Sequence, residues 1–275
     1  DVTGVQTCAL PIWMVTCDVA KCGEAQGDDD DANGNGQIDF GEEYALDFTL
    51  TSMVYVEASA TTISAPITGM TTLVVNKVDA GPSTVDRVSL ATANSFVRRM
   101  LGGDTKPSEV EPVDLTEASG DVDKEKLQYA LINAAIEQRA RDGSKTVTEA
   151  LDDLSSDFDN GEVSKDSLES LSGAIGTVAT VVASQKPQLK NVNAADTAAT
   201  AGLSQTVEGT CDKGRCNPPS DPGGEVGDNL AQAKNLVSTV RRVGFDSLTA
   251  IENELDSQAN SYNPDNLIVQ ARNAA

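Results

Sequence analysis

The run Leu127-Gln128-Tyr129-Ala130-Leu131-Ile132-Asn133-Ala134-Ala135-Ile136 carries two apolar stripes at once. Leu127, Leu131 and Ala134 share one side of a helix, and Tyr129, Ile132 and Ile136 share a second. A helix that is apolar on two sides has to be covered on both, so other helices are expected around it. Downstream, Thr146-Val147-Thr148-Glu149 reads as a capping box that opens a helix with Val147, Leu151, Leu154 and Phe158 inward. Asp159-Asn160-Gly161 stops it, and Leu168, Leu171, Ile175, Val178 and Val182 form a near-heptad stripe on the next. Ala194 to Leu203 reads as a weaker, alanine-rich helix. Upstream, Ser83 is expected to cap a helix in which Val85, Val88, Thr92 and Phe96 share a face.

Before Pro66 the pattern is that of strands. The short runs Trp13 to Thr16, Tyr44 to Thr51 and Met53 to Thr61 are apolar or alternate at period two, and the last is rich in Val and Thr. About four strands fall short of the roughly seven of a sandwich, so a partial module is expected. The fold class is thus α+β, mainly α. A small N-terminal β module, a truncated sandwich over 13–66, carries an EF-hand-type loop, and an antiparallel helical bundle follows over 67–206. A Gly-, Pro- and Asp-rich, disulfide-containing linker is expected over 207–227. Leu230, Ala233, Val237 and Val240, then Leu248, Ile251 and Leu255, predict C-terminal helices over 228–275 packing on the helical domain.

The most specific local signal is Asp31-Ala32-Asn33-Gly34-Asn35-Gly36-Gln37-Ile38-Asp39-Phe40-Gly41-Glu42. It satisfies the twelve-residue EF-hand loop pattern position by position. Asp31, Asn33 and Asn35 offer side-chain oxygens at positions one, three and five. Gln37 offers its carbonyl at seven, Asp39 stands at nine, and Glu42 closes the loop at twelve with two oxygens. Gly36 at six supplies the left-handed bend that wraps the chain around an ion. Calcium is the cation expected, weakly held at ~10⁻⁴ M because only Asp31, Asp39 and Glu42 are carboxylates. The Gly- and Asp-rich run before the loop is too short for a helix, and the alternating run after it reads as a strand. The loop is therefore expected between strands, without the helix opening of a sensor.

Composition removes several classes of function. With 43 acidic against 20 basic residues, a net charge of -23 and a pI near 4.1, the surface repels phosphate, so no nucleic-acid partner is expected. The chain has no histidine, which excludes Ser-His-Asp triads, Cys-His dyads and histidine-ligated zinc hydrolases. An enzyme would have to run on carboxylates, lysine or tyrosine, and no motif presents a matched carboxylate pair. No run approaches the ~18–20 apolar residues of a transmembrane helix.

Residues 1–12, Asp1 to Ile12, resemble the translation of a sequencing adapter fused to a reading frame, so Cys8 is set aside as non-native. Four cysteines remain in two matching C-x4-C pairs, Cys17 with Cys22 and Cys211 with Cys216, in loop-like sequence. Their spacing departs from the C-x2-C of zinc knuckles, and disulfides are expected, hence an oxidising compartment. Three further stretches, Pro66-Ile-Thr-Gly-Met-Thr-Thr-Leu73, Glu111-Pro-Val-Asp-Leu-Thr116 and Tyr129-Ala-Leu-Ile-Asn-Ala-Ala135, complete the pattern. Together with Asp31 to Leu50, and over roughly residues 13 to 180, they resemble modular calcium-loop lipoproteins and surface proteins of Gram-negative bacteria. That resemblance implies an exported protein on the outer-membrane surface or in the periplasm, with a possible lipid anchor upstream. The expected function is non-catalytic, structural or adhesive, braced by calcium. The alternatives are a glycan- or peptide-binding module and, behind it, a carboxylate-based enzyme.

Overall fold

The computed structural model describes residues 4–9, 15–24, 32–44, 48–56, 64–81, 85–159 and 161–219. The chain divides into two units, Asp1–Asp221 and Pro222–Ala275, and the second lies outside the described residues, as do the helices expected in it. The strands are β1 Gly4–Ala9, β2 Val15–Thr16, β3 Lys21–Glu24, β4 Gln37–Asp39, β5 Glu43–Tyr44, β6 Thr51–Val56, β7 Val163–Ser164, β8 Cys211–Asp212 and β9 Arg215–Cys216. The α-helices are α1 Gly69–Asp79, α2 Arg87–Met100, α3 Lys124–Asp142, α4 Val147–Asp159, α5 Lys165–Gln185 and α6 Val192–Thr210. The architecture is therefore α+β and mainly α. No helix among the described residues is long and apolar enough to cross a membrane.

α3 sits at the centre and packs against α4, α5 and α6. Both of its apolar stripes are buried: Leu127, Tyr129, Leu131, Ile132, Ala134 and Ile136 are each at most 2% exposed. Each of the large aliphatic side chains contributes about 1.5–3 kcal/mol of transfer free energy. Thr146 opens α4 with the expected reciprocal cap, its Oγ1 accepting the Glu149 N–H at 3.2 Å while Glu149 Oε2 accepts the Thr146 N–H at 2.8 Å. Phe158 then meets Phe96 edge to face, ring centroids 5.3 Å apart. On α5 the whole stripe of Leu168, Leu171, Ile175, Val178 and Val182 is buried.

Two helices differ from the sequence reading. α2 begins at Arg87, not near Ser83: Asp86 accepts the N–H groups of Val88 and Ser89, and Ser89 Oγ accepts the Asp86 N–H. Ser83 lies outside the described residues, and the Asp86 carboxylate answers the helix N-terminus with two hydrogen bonds and its charge. The inward face is accordingly Leu90, Ala93, Phe96, Val97 and Met100, with Val85 and Thr92 exposed. α6 starts at Val192 and runs on to Thr210, past Leu203, because Thr206 is buried and donates to the Gly202 carbonyl at 3.2 Å. The segment read as a linker therefore begins inside this helix. It continues as the hairpin β8–β9, turned by Lys213 and Gly214 at φ 49° and 81°, which returns to pair with β7.

The N-terminal strands form separate two-stranded antiparallel ladders, β1 with β6, β2 with β5 and β3 with β4, in place of one shared sheet. Most of them span two to four residues, too short to build a sandwich face. β1 lies inside the adapter-like segment and pairs with β6 along its length, from Gly4 opposite Val56 to Ala9 opposite Thr51. Among the described residues of the run Tyr44 to Thr51, its two ends are in strands, Tyr44 in β5 and Thr51 in β6, and 45–47 lie outside the described residues.

Where α2 ends, its backbone touches that of α6. Gly102, at φ 71°, opposes Gly202 so closely that a β-carbon on Gly202 would lie 2.6 Å from Gly102 Cα. Replacing Gly202 with alanine is therefore expected to destabilise the fold by about 1–3 kcal/mol, seen as a lower urea midpoint. An unchanged midpoint would show that the two helices part without cost.

Candidate functional site

Of the expected calcium ligands, Asp31 lies outside the described residues, while Asn33, Asn35, Gln37, Asp39 and Glu42 lie within them. Asn33 and Asn35 both donate from Nδ2 to Asp39 Oδ2, at 2.9 and 2.6 Å. Their own Oδ1 atoms accept the backbone N–H groups of Asn35 and Gln37, at 3.1 and 2.8 Å, which makes two consecutive Asx turns. Gly34 and Gly36, at φ 71° and 79°, supply the left-handed steps these turns need. The Asp39 N–H donates to Glu42 Oε2 at 2.8 Å. Positions three, five, nine and twelve thus meet in one hydrogen-bonded knot, and the amides of Asn33 and Asn35 hold the Asp39 carboxyl below its usual range.

The donor set of this knot is all oxygen, carboxylate and amide, the chemistry of a hard cation. In this arrangement the amide nitrogens, not the oxygens, face Asp39. An amide oxygen carries two lone pairs, so one that accepts a backbone N–H can also coordinate an ion. Among the described residues no three carboxylates or thiolates converge on one point. Within the loop only Asp39 and Glu42 supply described carboxylates.

Cys17 ties the loop to its surroundings. Its N–H donates to the Glu42 carbonyl and its carbonyl accepts the Gly41 N–H, both at 2.8 Å, and its sulfur bridges to Cys22 on β3. β3 pairs with β4, which is Gln37 to Asp39, so one buried disulfide and four strand residues bind the far half of the loop to Cys17. The second bridge, Cys211–Cys216, closes the β8–β9 hairpin. There Arg215 reaches Asp157 at 2.8 Å. Each cysteine pair is closed within itself, so the four sulfurs form no shared metal knuckle.

The residue after Cys17 opens onto a cleft of about 570 Å³ that sequence reasoning did not anticipate. Asp18, Tyr44, Asp114 and Glu137 line it from four separate parts of the chain. Tyr44 donates its hydroxyl proton to Glu137 Oε1 at 2.8 Å, and Arg141 pairs with the same oxygen at 3.0 Å. Burial, and then the Glu137 carboxylate, push the Tyr44 hydroxyl up from its ordinary range. Asp18 is half-buried and forms no ion pair among the described residues. Burial first, then the neighbouring carboxylates of Glu137 and Asp114, hold its carboxyl well above the usual range. The one local signal in sequence is the Glu137 and Arg141 pair four residues apart on α3. Nothing in the Cys17 to Cys22 loop marks Asp18 as the carboxyl that meets it.

Comparison with protein-family models, with curated proteins and with solved structures finds no match to this chain.

Because the folded chain holds the Asp18 proton more tightly than the unfolded chain does, this carboxyl favours the fold fully only below about pH 4. That contribution is lost as pH rises through the raised folded value. Asp18→Asn keeps the shape and removes the charge. It is expected to raise Tm near pH 8 by about 2–4 °C and to leave it unchanged near pH 3, as read by thermal melts of both proteins. A variant that melts lower near pH 8 would show that the charge is wanted for the fold.

Proposed function

We propose that this chain is a non-catalytic, exported protein, structural or adhesive, at the bacterial surface or in the periplasm, in which the loop Asp31 to Glu42 holds one calcium ion as a brace. The observation that carries the reading is the knot of Asn33, Asn35, Asp39 and Glu42 beside the Cys17–Cys22 bridge. Loop residues at alternate positions already gather polar groups around Asp39, and an amide oxygen with two lone pairs can hold a backbone N–H and a cation together. Asp31, Asn33 and Asn35 would supply side-chain oxygens, Gln37 its carbonyl, Asp39 a carboxylate, directly or through water, and Glu42 two closing oxygens. A net charge of -23 favours cations and solubility, and two closed disulfides suit an oxidising compartment.

The ion's expected effect is on stability, not turnover. With a dissociation constant near ~10⁻⁴ M and about 1 mM free calcium, binding stabilises the folded chain by about 1.4 kcal/mol. Thermal melts in calcium against excess chelator are expected to differ by about 3–5 °C, and Glu42→Gln is expected to remove that difference. If the wild-type chain melts at one temperature in both solutions and calorimetry detects no heat of binding, the calcium reading is lost.

A further inference from the structure

The cleft beside Asp18 is walled by apolar side chains and edged by acids. Phe48, Leu50, Ile67 and Val113 are half-buried along it, each leaving apolar surface open to the cavity. Asp18 and Glu137 stand on its inner wall, while Glu111 and Asp114 are exposed on its rim. None of the described lining residues is basic. Its segments come from distant parts of the chain: 66–69 before α1, 111–115 before α3, and Ala130, Asn133 and Glu137 on α3 itself. Three stretches that stand out in the sequence therefore meet around one cavity.

From this charge and shape we propose that the cleft is a docking site for a peptide segment of a partner protein that presents a lysine between apolar residues. A lysine buries its aliphatic stem against apolar surface and carries its ammonium to an acid beyond it. Both requirements are met here. The Glu137 carboxylate is already compensated by Arg141 and Tyr44, which leaves Asp18 and the rim acids to receive the incoming cation. Within a partly closed cavity such a pair is screened far less than on an open surface. The volume of about 570 Å³ lies inside the roughly 300–1,000 Å³ span of ligand sites. A lone alkylammonium would leave most of that space to water, whereas a lysine with an apolar neighbour on either side fills it. The site does not depend on the calcium reading, although Asp18 follows Cys17, to which the end of the loop is bonded.

The test uses the full chain and fluorescence anisotropy with a labelled peptide of sequence Val-Leu-Lys-Leu-Val, its norleucine counterpart and its glutamate counterpart. The lysine peptide is expected to bind at least about tenfold more tightly than the norleucine peptide, and the glutamate peptide not at all. Glu111→Lys, an exposed rim change that leaves the core untouched, is expected to weaken the lysine peptide about tenfold and to spare the norleucine peptide. Asp18→Asn is expected to weaken the lysine peptide as well. Equal affinity for the lysine and norleucine peptides, or indifference to both variants, overturns the proposal. So does n-butylammonium binding as tightly as the peptide, which would assign the cleft to small amines. Sedimentation showing a dimer that Glu111→Lys dissociates, with no binding of the lysine peptide, would assign it to a second copy and overturn the proposal. Repeating the titration in chelator keeps the two readings apart: peptide binding that survives while the calcium-dependent melting shift is absent removes only the calcium site.

Discussion

Burial of α3 on both sides constrains everything around it. Polar side chains that lie on the covered faces of this helix meet neighbouring segments, and three of them bond there. Gln128 donates to the Gly102 carbonyl at 2.8 Å and fixes the end of α2. Asn133 accepts the Met70 N–H at 3.0 Å and fixes the start of α1. Glu137 accepts from Tyr44 at 2.8 Å and fixes the β segment that follows the candidate calcium loop. Apolar burial provides the energy of the assembly, and these three side chains provide its register.

The Cys17 clamp extends that register to the surface. Its two backbone hydrogen bonds to Gly41 and Glu42, and its bridge to β3, hold the loop's second half against the segment that carries Asp18. Asp18 and Tyr44, one from each side of the clamp, then reach the same cleft wall as Glu137. The proposed brace and the proposed docking site are therefore neighbours through covalent and hydrogen-bonded links. Stiffening the loop would stiffen one wall of the cleft.

Local signals were the legible ones. The two stripes of α3, the Thr146 cap and the α5 stripe depend on residues three and four apart, and helix geometry makes those neighbours whatever else the chain does. The same holds for the turns of the candidate loop, whose Asx bonds span two residues at Asn33 and Asn35. Reading failed where two local signals competed or where a distant contact decided. Asp86 caps α2 because its side chain accepts the N–H groups of Val88 and Ser89, and Ser83, read as the cap, lies outside the described residues. α6 ran on through a glycine- and threonine-containing segment because Gly202 is pressed against Gly102 and Thr206 is buried, neither of which short-range pattern encodes.

By itself the sequence determined the inward faces of α3, α4 and α5, the twelve-residue oxygen-rich loop, the absence of histidine chemistry and the acidity, since each depends on residue type and short spacing. Only the tertiary structure decided that the paired cysteines close within their own loops, that the β8–β9 hairpin returns to β7, and that Asp18, Tyr44, Asp114 and Glu137 share a cleft. Those groups lie up to 119 positions apart, from Asp18 to Glu137, and what brings them together is the covering of α3, a demand of the whole core and not of any one segment.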